Sequence, residues 1–106
     1  MHKYIVVFIT TSSLPQARKI ANILVSKRLT ACVNILPGIN SIFRWQGRLD
    51  YAKEVLLIAK TIKSNFRKLT KQVKQIHSYE VPEIIALPII AGNKEYLKWI
   101  SDSVAC

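Results

Sequence analysis

The sequence predicts an α+β fold: a ferredoxin-like βαββαβ sandwich with a long projecting β-hairpin arm and a short C-terminal helix. Three observations carry that prediction. Apolar residues recur with strand and helix periods in the order strand, helix, strand, strand, helix, strand. Right-handed crossovers then give the sheet order 4-1-3-2, whose edges are strands two and four. Proline cannot donate to a β-ladder and belongs at edges or bulges; Pro37 and Pro88 fall in those two edge strands, and strands one and three have none. Finally, Thr30 to Trp45 is too long for the body that carries it. Fully extended it reaches roughly 50 Å at about 3.3 Å per residue, against a compact diameter of roughly 35 Å for a chain this long.

Taken in order, Tyr4–Thr10 (YIVVFIT) is a β-branched run, apolar on both faces, and reads as strand one. Ser13 with Gln16 three residues on is a capping-box pattern, and Pro15 fits a first helical turn. Leu14, Ala17, Ile20, Leu24 and Leu29 then recur at helical spacing, placing helix one over Leu14 to Arg28. Strand two starts at Thr30 and continues past Pro37-Gly38, the expected bend or bulge. The chain turns at Gln46-Gly47, where glycine can take positive φ. It returns through Arg48–Lys53 into strand three, Glu54–Thr61. Ser64 is the expected cap of helix two, whose apolar face is Phe66, Leu69, Val73 and Ile76. His77–Pro82 is a loop and Glu83–Ile90 strand four. Asn93 caps a last helix with Tyr96, Leu97, Ile100 and Val104 as its apolar set.

Both helices belong to one sheet face, yet strands one, three and four are apolar on both faces. A monomer would alternate apolar and polar residues on such strands. The short last helix cannot cover the second face alone, so other subunits are expected there, with Trp45 as an arm anchor. One domain accounts for residues 1–106. No apolar run is long enough for a membrane span. Two cysteines, Cys32 and Cys106, do not make a disulfide scaffold and fit reduced thiols in a cytoplasmic protein.

Four stretches together resemble the divalent-cation tolerance family, CutA: Ala31–Leu49 (ACVNILPGINSIFRWQGRL), Glu54–Thr61 (EVLLIAKT), His77–Ile89 (HSYEVPEIIALPI) and Tyr96–Ile100 (YLKWI). The resemblance implies a ferredoxin-like protomer, a homotrimer whose arms pair with neighbouring strands, and a similarity to PII signalling trimers. It also implies a link to tolerance of copper and other divalent cations. Ser78 stands where the family commonly has proline. Ile9 stands where some relatives carry a cysteine considered for metal binding, so no ligand transfers to that position.

Candidate ligands are few. Cys32 is the best soft donor, suited to copper, although buried small cysteines are usually packing residues. His77 sits at a helix end, where it either complements the helix dipole or binds a ligand. Glu80 follows it and completes the candidate metal set Cys32, His77 and Glu80. His2 is the only other histidine. Neither C-x-x-C nor H-x-x-x-H occurs, so a metal must be shared between chains or use Cys32. Glu54, Lys60, Tyr79, Glu83 and Trp45 are the expected residues of a polar inter-subunit pocket or interface.

No G-x-S-x-G, P-loop or paired-carboxylate motif is present, which points away from an enzyme. The expected activity is therefore metal or small-effector binding by a trimer, with no required cofactor. The formal charge of +10 raises nucleic acid or another polyanion as an alternative partner. The RNA-recognition signature is absent, and the basic run from Lys60 to Lys74 reads first as a solvated face.

Overall fold

The computed structural model describes residues 3–105, so His2 and Cys106 lie outside the described residues. Four strands form one antiparallel sheet: β1 (Tyr4–Thr11), β2 (Cys32–Trp45), β3 (Arg48–Ile62) and β4 (Ile84–Pro88). Their spatial order is β2-β3-β1-β4, the predicted order read from the other edge. Pro37 and Pro88 accordingly sit in edge strands, where the missing N–H breaks no interior ladder.

Two helices, α1 (Leu14–Ser26) and α2 (Phe66–Ile76), pack on one face. Ile5, Val7 and Ile9 of β1 and Val55, Leu57 and Ala59 of β3 point toward them. Ala17, Ile20 and Leu24 of α1 and Leu69 and Val73 of α2 complete this core. Ser13 caps α1 as expected, its Oγ accepting from the Gln16 N–H at 3.3 Å.

A third helix, α3 (Lys94–Ser103), lies on the other face at one end of the sheet. Ile100 and Val104 meet Ile62 there, with Tyr4 and Leu97 alongside, and the Tyr4 hydroxyl is 2.7 Å from Ser101 Oγ. Asn93 caps α3 by accepting from the Tyr96 N–H at 3.1 Å. The rest of that face carries Val6, Phe8, Leu56 and Ile58, partly exposed, with Leu36, Ile85 and Leu87 exposed.

Several boundaries differ from the sequence reading. Helix one stops at Ser26, because Arg28 takes a left-handed φ of 59° and turns the chain toward β2. Ser64 does not cap α2. It lies in a 3-10 turn, Lys63–Asn65, that leads directly into the helix, and Asn65 is the cap position without a side-chain cap bond. Strand four is shorter than expected, Ile84–Pro88. Tyr96 faces outward, 43% exposed, and stacks with Trp99 at 5.4 Å between ring centroids.

The arm matches expectation closely. The register between β2 and β3 shifts once, between Leu36 and Ile39, so Pro37-Gly38 is a bulge. Gln46 and Gly47 have φ of 51° and 76°, a two-residue turn with both residues left-handed, closed by the Trp45–Arg48 pair. Partnering of β3 with β1 ends at Val55. From Ile39 and Glu54 outward the arm is a two-stranded ribbon only. It stretches the molecule to 44 × 25 × 23 Å.

Candidate functional site

Two polar constellations stand out, at opposite ends of the sheet. The first lies where β3 leaves the core for the arm. Glu54 is buried there, 8% exposed, and accepts a hydrogen bond from the Tyr79 hydroxyl at 2.7 Å. Burial, the bond to Glu54 and the carboxylate's negative charge together push the Tyr79 phenol up to about 12.

His77 holds this loop in place. Its backbone N–H caps α2 on the Val73 carbonyl at 2.9 Å. Its Nδ1 accepts from the Tyr79 N–H at 2.9 Å, which leaves Nε2 as the protonated nitrogen. Nε2 donates to the Thr10 carbonyl at the end of β1, 2.7 Å away. Both ring nitrogens are therefore occupied within the chain. The ring also lies 4.9 Å from that of Tyr79. Ser78, in place of the family's proline, bonds Gln16 Oε1 at 3.1 Å and so ties the same loop to α1.

The second constellation is on the sheet face away from α1 and α2. Cys32 pairs across the ladder with Lys60, which pairs in turn with Val6. The Lys60 ammonium donates to Asn34 Oδ1 and approaches Cys32 Sγ at 4.0 Å. Tyr96 of α3 stands close by; its phenol is pushed up by burial first and then by the charge of Cys32.

The expected site residues are thus divided. Glu54 and Tyr79 meet directly, as do Cys32 and Lys60. Cys32 and His77 do not meet: along β1 they lie level with Val6 and Thr10, roughly 13 Å apart, on opposite sides of two further strand spacings. Glu80 and Glu83 are exposed on the loop before β4. Trp45 is at the far end of the arm. Among the described residues no three His, Cys, Asp or Glu side chains converge as a metal site. The described residues of one protomer therefore do not fit a metal centre, because the His77 imidazole is already used and an ammonium stands beside the Cys32 thiol. The Lys60 contact escaped sequence reading, although the alternation of Cys32 and Asn34 onto one face was its visible half.

Two open clefts flank α2, both with Phe66 and Arg67 in their walls. Lys71 and Lys74 line one; Lys63, Leu87 and Pro88 line the other, which encloses about 610 Å³. Neither contains a residue of the two constellations.

Comparison with known proteins places this architecture. Residues 5–103 match the family described as CutA1 divalent ion tolerance protein. The chain belongs to the CutA1 family. This CutA1 chain is 53% identical over 98 residues to the divalent-cation tolerance protein CutA of Thermus thermophilus, covering 92% of this chain and 95% of that one. The chloroplastic CutA of Arabidopsis thaliana is 46% identical over 99 residues; that match covers 93% of this chain but 54% of the plant protein. The chain spans about half the length of the mammalian relatives too, 52% for Homo sapiens. A solved CutA1 structure from Thermus thermophilus superposes with a TM-score of 0.95 at 51% identity, covering 96% of this chain and 99% of that one. The structure described as the periplasmic divalent cation tolerance protein CutA of Archaeoglobus fulgidus superposes at 0.93 with 43% identity, covering 96% and 99%.

Proposed function

We propose that the protein is a non-enzymatic, cytoplasmic homotrimer that takes up copper or another divalent cation at sites shared between subunits. The uncovered sheet face supports this reading most. Val6, Phe8, Ile58, Ile85 and Leu87 form an apolar surface left partly or fully exposed among the described residues, and the arm beside it is a two-stranded ribbon. Such a ribbon is marginal alone and needs a third strand or a packed face. Relatives named for divalent-cation tolerance support the ligand class. Because the described residues of one chain gather no ligand set, the donors in this reading come from two chains. Cys32 supplies the soft donor, Glu80 is free to reach across, and His77 joins them by giving up its Thr10 bond.

A second reading is a PII-like trimer for a small anionic effector. The Lys60 ammonium beside Cys32 and Asn34 favours it, since a fixed positive charge attracts an anion and repels a metal cation. Native mass spectrometry of the reduced protein, with and without a modest excess of copper, separates the readings. A three-chain mass with a fixed copper count that falls in Cys32→Ser supports the metal site. A three-chain mass with no discrete uptake discards the metal and keeps the effector. A monomer overturns both.

A further inference from the structure

We propose that the outer face of α2 is a docking surface for the phosphate backbone of nucleic acid. Arg67, Lys71 and Lys74 follow one another at helical spacing on α2, Lys63 precedes them in the 3-10 turn, and all four are exposed. The three on α2 lie within one quadrant of its surface at 3.6 residues per turn. Arg67 stands between the two clefts, with Lys63 in the wall of one and Lys71 and Lys74 in the wall of the other.

These charges have no counterpart on their own layer. Neither α1, the 3-10 turn nor α2 contains an aspartate or glutamate. The six acids of the chain lie on the arm, the loop before β4, and α3. Among the described residues one salt bridge forms, Lys98 to Asp102, and it is on α3. A merely solvated helix face interleaves both signs to limit self-repulsion. This face concentrates one sign, and Arg18 and Lys19, exposed on α1, add cations to the same helical layer.

The dimensions and chemistry favour a phosphate chain. The four cations span roughly 16 Å of helix at about 1.5 Å per residue. A nucleic-acid duplex carries one negative charge per about 1.7 Å of its axis, so the row has a phosphate within reach of each of its cations. An anionic membrane is the poorer match. Surface-bound helices insert apolar side chains, and the apolar residues Leu69 and Val73 of α2 are fully buried against the sheet. The face lies on the opposite side of the sheet from the uncovered apolar surface, so assembly through that surface leaves it open.

The test is fluorescence anisotropy of the full chain with a labelled DNA duplex of about 20 base pairs, over roughly 50 to 200 mM salt. Four neutralised phosphates predict a slope of log K on log salt of roughly −3.6, a loss of roughly a hundredfold over that range. Arg67→Glu with Lys71→Glu is expected to flatten the slope by roughly 1.8 and weaken binding by at least about tenfold. The double reversal Lys94→Glu with Lys98→Glu on α3 is expected to change affinity by about twofold or less. Should the α2 reversal misfold by circular dichroism, Lys71→Gln alone should still flatten the slope by about 0.9. Equal losses in the α2 and α3 variants would mean diffuse charge and overturn the proposal. So would no duplex binding at the lowest salt, or tighter binding to phosphatidylserine vesicles than to the duplex.

Discussion

Tyr79 and Glu54 show how one contact can fix a loop to the base of an arm. The Glu54 carboxylate is buried, and the Tyr79 hydroxyl is the partner it has among the described residues. Tyr79→Phe keeps the ring and removes the donor. It is expected to destabilise the fold by about 1–3 kcal/mol, the cost of stranding a buried polar group, as read by chemical denaturation. The pH dependence follows from the raised phenol. Its folded value, about 12, lies above the ordinary 10.0. Stability from this bond is therefore whole below pH 10.0 and is lost as pH rises through about 12. Ultraviolet titration of tyrosinate should find a phenol that ionises only near pH 12, and Tyr79→Phe should remove that late step. Sequence named Tyr79, Glu54 and Lys60 as one polar group. The structure joins the first two and sends Lys60 to Cys32, six positions further along β3 than Glu54. Strand position was legible; which loop returns to which strand end was not, because that depends on where α2 stops.

Among elements, the arm was the most legible, because its signals are local. Gln46-Gly47 demands a left-handed pair and Pro37-Gly38 demands a break in the ladder; each is decided within two residues. A Cβ built on Gly47 meets nothing within 4 Å, so strain at that position is purely one of backbone conformation. Gly47→Val is expected to cost about 1–2 kcal/mol, measured as a lowered midpoint of thermal unfolding; an unchanged midpoint would mean the turn relaxes to another type. Less local features were harder to read. Ser64 has the chemistry of a cap, but Lys63 already donates its N–H to the Lys3 carbonyl at 2.7 Å, and the chain tightens into a 3-10 turn before helix α2 begins. The end of helix one was hidden for a similar reason. Arg28 leaves the helix to reach α3, donating from Nε to the Ser103 carbonyl and from Nη2 to the Asp102 carbonyl, each at 3.1 Å. No window of sequence around Arg28 contains that partner.

For the whole molecule, the two sheet faces have different fates. One is sealed by α1 and α2; α3 covers only an end of the other. Apolar strands without alternation predicted this asymmetry, since a composition suited to burial on both sides appears whether the cover is a helix or another chain. Ile85 is 50% exposed and Leu87 47% exposed in the isolated chain. Ile85→Lys with Leu87→Lys should therefore leave the protomer's own folding nearly unchanged, within about 0.5 kcal/mol per site. In a trimer assembled through that face the same change buries charge and should yield a monomer by light scattering. A retained three-chain mass would place the interface elsewhere.

The strand order also governs how the chain is made. β1 lies between β3 and β4, and its ladder partners run from Val55 to Ile62 and from Ile84 to Pro88. During synthesis at about 5–20 residues per second, the first strand waits several seconds for its second neighbour. Throughout that interval a β-branched, uncharged segment, Tyr4–Thr11, has an unpaired edge. The ribosome-bound chain is thus exposed to self-association before the sheet closes. Arg18 and Lys19, which follow soon after that strand, give the nascent segment a net positive charge that opposes pairing between copies.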